Sequence, residues 1–212
     1  MFIGHFAAAF LLEVAFPQSP VLVILIAVSF PDLLWGILVP LGAEKVRVDP
    51  GSPLQRAIQF QSYPYSHSLV LTNSFALVIG LILAAIVRNP LVAVVFVLGS
   101  ASHWLLDTIV HLRDLPVLGF SGRDKKVGLG LWKKGGVAFA VEFIFYAAVV
   151  VLVLPSAFVG WAFLLGGVFH FANSNSFFGF TKRNPMGGSS NAYATFALFG
   201  FVLFILLASA LI

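Results

Sequence analysis

Only 9% of the 212 residues are charged and 60% are hydrophobic, which excludes a soluble globular domain, where about a quarter of residues carry charge. The net charge of +4 does not mark a nucleic-acid-binding face, because the basic residues lie in loops between apolar runs. No cysteine is present, so disulfides and thiolate metal sites are excluded and the redox compartment is left open.

A hydrocarbon core of about 30 Å takes about 20 apolar residues in helical form. Segment 3–16 is apolar but short, suited to a shallow or half-buried helix. It has no Lys or Arg before it and carries Glu13, unlike a cleaved signal peptide, so it is expected to be retained. Spans are expected near 20–41, 67–87, 90–112, 136–155, 157–174 and 192–212. Pro17, Pro20, Pro90, Pro155 and Pro185 fall at or near the boundaries, where proline is tolerated. Pro31 and Pro40 predict a kink in or at the end of the second helix. No internal repeat is evident. The expected fold is all-α, a polytopic transmembrane bundle of six to seven helices in one domain, 1–212.

The loops orient the bundle. Loops 42–66, 113–135 and 175–191 fall on one side and carry 11 of the 12 Lys and Arg, Arg123 among them; Arg88 alone lies opposite. The positive-inside rule makes the first side cytoplasmic. Within the second loop, Gly128 to Lys134 reads as an interfacial segment with Trp132 at headgroup depth, or as an ordinary basic loop.

Ionisable residues within spans are costly, about 2.5–3.5 kcal/mol each at the bilayer centre, and each needs a reason. Glu13, Asp32, His103, Asp107 and Glu142 lie within apolar segments, with His5, His67, His111 and His170 nearer the ends. Most converge on the half of the membrane that bears the basic loops. His103, Asp107 and His111 stand at i, i+4 and i+8, one stripe on one helix face. Imidazole and carboxylate one turn apart can share a divalent ion, or the carboxylate can simply fix the tautomer of the imidazole. In Tyr65-Ser66-His67-Ser68, Ser66 is placed to cap a helix start; His67 is a metal ligand or an interfacial histidine. Asp32, after Pro31, is a ligand or bonds backbone freed by the proline. Glu142 is a ligand, a general base or a hydrogen-bonded partner. Glu13 is placed behind the site, and His170 reads as an ordinary interface residue.

Several of these residues lie in motifs: Gly4-His5, Pro31-Asp32, Tyr63-Pro64-Tyr65-Ser66-His67-Ser68 and Ser102-His103-Trp104-Leu105-Leu106-Asp107. Together with His111-Leu112-Arg113-Asp114-Leu115-Pro116 and Lys126-Val127-Gly128-Leu129-Gly130-Leu131-Trp132, they resemble a family of bacterial inner-membrane proteins. That family is described as metal-dependent hydrolases, and as LexA-binding and inner-membrane-associated. The resemblance runs over about residues 1–145; beyond that, only hydropathy is similar. It implies His5, Asp32, His67, His103 and Asp107 as metal ligands. Leu34 stands where the family often has a second acid, and Tyr63-Pro64-Tyr65 where it tends to have Arg-Gly. Both departures favour one metal over two.

The leading expectation is a membrane-embedded hydrolase binding a divalent metal, Zn²⁺ before Mn²⁺ or Fe²⁺. The metal would activate a water, with Asp107, Asp32 or Glu142 taking the proton if not coordinating. Partners are the lipid bilayer and a lipid-linked or amphiphilic substrate, a phosphoester being the weakest step; no nucleic acid is expected. Two rivals remain: a divalent-ion or proton transporter, and a non-catalytic membrane scaffold.

Overall fold

A computed structural model of the chain describes residues 1–120 and 124–211. Arg123 of the second basic loop and Ile212 of the last expected span lie outside the described residues. The helices are α1 Ile3–Ala15, α2 Val21–Leu38, α3 Pro64–His67, α4 Leu69–Val87, α5 Leu91–Val110, α6 Gly135–Val153, α7 Ser156–Ala172, α8 Asn175–Phe178 and α9 Ser190–Leu211. Two small antiparallel hairpins accompany them: β1 Lys45–Arg47 with β2 Gln59–Ser62, and β3 Leu115–Pro116 with β4 Lys126–Val127. The fold is all-α, as expected, although the short turns α3 and α8 were not foreseen. Helices α2, α4, α5, α6 and α9 are long and apolar enough to cross a membrane.

Two apolar helices fall short of that length. The expected span at 157–174 is α7, of 17 residues. Helix α1 has 13 residues, about 20 Å at 1.5 Å per residue, against a hydrocarbon core of about 30 Å. It is enclosed: Ile3 to Phe10 are buried in a core shared with Leu25 and Val28 of α2, Val149 and Val150 of α6, and Phe204 of α9.

Proline sets several helix starts. Pro20, Pro90 and Pro155 stand immediately before α2, α5 and α7, where a missing N–H is not needed. Helix α2 runs through Pro31 and ends at Leu38, before Pro40. The span expected to open at 67 is divided: Ser68 is extended, with ψ 144°, and separates α3 from α4. Ser68, rather than Ser66, is the cap of α4, its Oγ accepting the Thr72 N–H at 3.2 Å.

Close approach of α5 to α2 depends on Gly99. A Cβ there would lie 2.7 Å from Ala27 Cβ and 3.0 Å from Val28 N. Helix α4 packs on α5 and turns Leu77, Val78, Leu81 and Ile82 outward, a surface suited to lipid. The three loops rich in Lys and Arg meet at one end of the bundle. Asn184 N–H donates to Pro50 O at 3.0 Å, Arg56 Nη1 to Lys133 O at 3.3 Å, and Ser190 Oγ to Val46 O at 2.6 Å.

Candidate metal centre

Beneath those loops, the start of α1, the middle of α2, the end of α3 and the end of α5 bring His5, Asp32, His67, His103 and Asp107 together. The helical period puts His103 and Asp107 on one face of α5, and Gly99, one turn earlier, lets that face press on α2. Pro31 offers no N–H to the carbonyl four residues before it, and its ring crowds that turn. In the same turn, the Val28 carbonyl accepts the His103 Nδ1–H at 2.7 Å. A carbonyl only accepts, so the proton of a neutral His103 ring is on Nδ1 and the Nε2 lone pair points away from α2.

His5 is seated differently. Glu142 Oε1 accepts the Gly4 N–H at 3.2 Å, satisfying one of the free donors of the first turn of α1. The His5 ring then stacks on His103, with centroids 3.6 Å apart and planes 6° from parallel.

His67 is held from behind by a chain of hydrogen bonds. Its Nδ1 lies 2.8 Å from Ser66 Oγ, and Ser66 Oγ donates to Glu44 Oε2 at 2.6 Å. The other oxygen of Glu44 accepts the N–H groups of Tyr65 at 2.8 Å and Ser66 at 2.9 Å.

The resulting spacings are those of a shared ion. Asp107 lies 3.3 Å from His5 Nε2 through Oδ1 and 3.3 Å from His103 Nε2 through Oδ2. Asp32 lies 3.3 Å from His67 Nε2 and 3.5 Å from His103 Nε2. Tetrahedral N and O ligands at 2.0–2.2 Å from zinc stand about 3.3–3.5 Å from one another. Two groups, His5 with His103 and Asp107, and Asp32 with His67 and His103, have donor atoms all within 4.8 Å of one another and can each hold a metal ion.

The donor set also fits a cation chemically. His5, His103 and Asp107 are almost wholly buried. His103 Nε2 and both ring nitrogens of His5 have no hydrogen-bond partner among the described residues, and a buried polar atom left so is costly. Protons alone resolve this badly. Protonating both stacked rings would put two positive charges face to face in a site of low dielectric, whereas one ion can take the Nε2 lone pairs of both rings together with the carboxylates. The amino group of Met1 also contacts Asp107 Oδ1, at 2.6 Å.

His111, directly after α5, completes the stripe read from the sequence, its Nε2 3.4 Å from Asp107 Oδ2. Its Nδ1 lies 3.0 Å from Asp114 Oδ1. Burial works against charge on this ring, but Asp107 and Asp114 outweigh it and raise the imidazolium to about 9. His111 belongs to neither group of ligand atoms. Burial, with Asp114 nearby, pushes the Tyr63 phenol well up, leaving it a neutral neighbour 3.4 Å from His111 Nδ1.

Other candidates lie elsewhere. Glu142 belongs to neither group of ligand atoms; its Oε1 accepts the Gly4 N–H, beside His5. His170 donates to or accepts from no carboxylate among the described residues: its Nε2–H meets Phe139 O at 3.1 Å, and its ring stacks on Phe139 at 3.9 Å. Glu13, two turns beyond His5, belongs to neither group. Trp132 is buried within the protein, packing on His111 at 4.3 Å and on Phe60 at 6.2 Å.

Sequence reasoning missed Glu44 and the Val28 carbonyl. Glu44 leaves one sequence signal, the serine beside His67, whose hydroxyl needs an acceptor once buried. A backbone carbonyl leaves none. Compared with known proteins, the chain matches no family model, no curated protein and no solved structure.

Proposed function

We propose that this chain is a membrane-embedded metal-dependent hydrolase, as its resemblance to the inner-membrane hydrolase family implies. Zn²⁺ suits the His/Asp donors best, with Mn²⁺ or Fe²⁺ as alternatives. The observation that carries the reading is the set of buried, unpartnered imidazole nitrogens of His5 and His103, spaced about 3.3 Å from carboxylate oxygens. His103 Nε2 has a single lone pair and belongs to both ligand groups, so the two groups describe one ion, not two.

A divalent ion there would supply Lewis acidity and lower the pKa of a water to about 7. The residues of the chain do the rest. His5, His103 and Asp107, all buried, form the inner wall. Asp32, whose side chain keeps 20% of its exposure, is the carboxylate open to an incoming water or substrate and takes the proton when it is not coordinating. Glu142 supports His5 through the first turn of α1.

The centre lies at the end of the bundle where the basic loops meet. By the positive-inside rule that end faces the cytoplasm, at the inner membrane of a bacterium. A site at headgroup depth beneath cationic loops suits a lipid-linked or amphiphilic ester, including a phosphoester.

The test is the metal content of detergent-purified protein, wild type beside a His103→Ala/Asp107→Ala variant. Near-stoichiometric zinc, lost from a variant that still folds, supports the site and justifies a screen of lipid esters and phosphoesters. No metal in either protein after reconstitution with divalent ions would sink the proposal. Metal-dependent uptake into proteoliposomes would replace it with transport.

A further inference from the structure

We infer that Glu44 is a positioning residue for the centre: acting through the Ser66 hydroxyl, it holds His67 with its proton on Nδ1 and its Nε2 lone pair facing the metal position. This rests on the metal reading above, and assigns a role to a loop residue that touches no ligand directly.

The geometry fixes the direction of each bond. Glu44 is buried, with 2% of its surface exposed. Oε1 receives two backbone N–H groups, from Tyr65 and Ser66. Both are donors only, so this oxygen is committed as an acceptor. Oε2 lies 2.6 Å from Ser66 Oγ, and a carboxylate accepts, so the serine proton is spent on Glu44. The same Oγ is 2.8 Å from His67 Nδ1. With its one proton already engaged, the hydroxyl can only accept there, and His67 must supply an Nδ1–H. In the neutral ring Nε2 is then the unprotonated nitrogen, 3.3 Å from Asp32 Oδ1 and 3.8 Å from Asp107 Oδ2.

The arrangement parallels His103, whose Nδ1–H is fixed by the Val28 carbonyl. Where His103 uses backbone, His67 uses a carboxylate and a hydroxyl. Partners of this kind fix the tautomer and orientation of ligating imidazoles, and their loss typically weakens metal binding 10- to 100-fold.

Substitution of an amide gives a sharp test. In Glu44→Gln the amide oxygen stays with the two backbone N–H groups, so the NH₂ replaces Oε2 and donates to Ser66 Oγ. The serine proton then turns to His67 Nδ1, and the ring carries its proton on Nε2, which cannot ligate. Two readouts follow on the full-length protein in detergent. In the metal-free protein, ¹⁵N shifts of His67, assigned by loss of the signal in His67→Gln, are expected to change from the Nδ1–H to the Nε2–H tautomer. Zn²⁺ titration against a chelator is expected to show affinity about 10- to 100-fold weaker than wild type. In a Ser66→Ala background, Glu44→Gln is expected to change zinc affinity less than about twofold, because the relay is already cut.

A wild-type tautomer and affinity in Glu44→Gln would overturn the inference. So would an equal loss of affinity with and without the hydroxyl. If Glu44→Gln does not fold, Ser66→Ala decides alone: a mixed His67 tautomer is expected, and an unchanged single Nδ1–H form overturns the relay. If wild-type protein takes up no zinc, the metal reading falls separately, and the ¹⁵N arm still shows whether Glu44 sets the tautomer.

Discussion

His103 and His170 are both buried, both in the second half of a helix, and both hydrogen-bonded to a backbone carbonyl of a neighbouring helix. They differ in what surrounds the rest of the ring. His170 is set among Phe139, Phe143 and Phe177, and its one polar contact accounts for it. His103 has its second nitrogen among two carboxylates and another imidazole, with no hydrogen bond of its own among the described residues. Burial and a backbone bond are thus common to a packing histidine and a candidate ligand; the unpartnered nitrogen separates them.

The sharpest way to break this comparison is to remove each ring. His103→Ala is expected to abolish stoichiometric zinc binding, while His170→Ala keeps it and shows only lower thermal stability. Equal zinc content in the two purified variants would erase the distinction drawn here. A smaller effect is expected from pushing α5 off α2. Gly99→Val places side chain where a Cβ alone would lie 2.7 Å from Ala27 Cβ; overpacking of this kind costs about 1–3 kcal/mol. Because Gly99 precedes His103 by one turn, zinc affinity should fall along with the melting temperature. Stability lost with affinity intact would mean that the His103–Val28 bond does not govern the site.

Smaller still is the cap of α4. Ser68→Ala removes the acceptor for Thr72 N–H and should cost about 1 kcal/mol, readable as a modest drop in melting temperature. Smallest is Tyr146→Phe, outside both ligand groups, where the hydroxyl donates to Ala162 O at 2.8 Å. Interhelical hydrogen bonds in membranes average about 0.6 kcal/mol, and zinc affinity should be untouched. A change in zinc affinity with Tyr146→Phe would mean that the two regions are coupled.

Much of this was legible from the sequence, for identifiable reasons. Apolar runs of span length gave α2, α4, α5, α6 and α9, because lipid demands both the length and the internal backbone bonding. The His103–Asp107–His111 stripe was legible because helical spacing is local. The break at Ser68 was not, since it follows from Ser66 turning toward Glu44, a contact across 22 positions. The neighbours of Trp132 were not legible for a similar reason: only the fold brings His111 and Phe60 against it. The bond from Gly4 N–H to the Glu142 carboxylate, across 138 positions, had no sequence signal.

The enclosure of α1 bears on the order in which the protein is made. His5 precedes in the chain the surfaces that seat its helix, so it is made before them. Glu142 binds its first turn, and Phe204 stacks on Phe6 at 3.7 Å. A helix of 13 residues is shorter than a lone span of the hydrocarbon core requires, so its place depends on those later surfaces. A chain truncated before α9 is expected to keep His103 and Asp107 together on α5 but to lose the Phe204 face against which α1 packs beside His5.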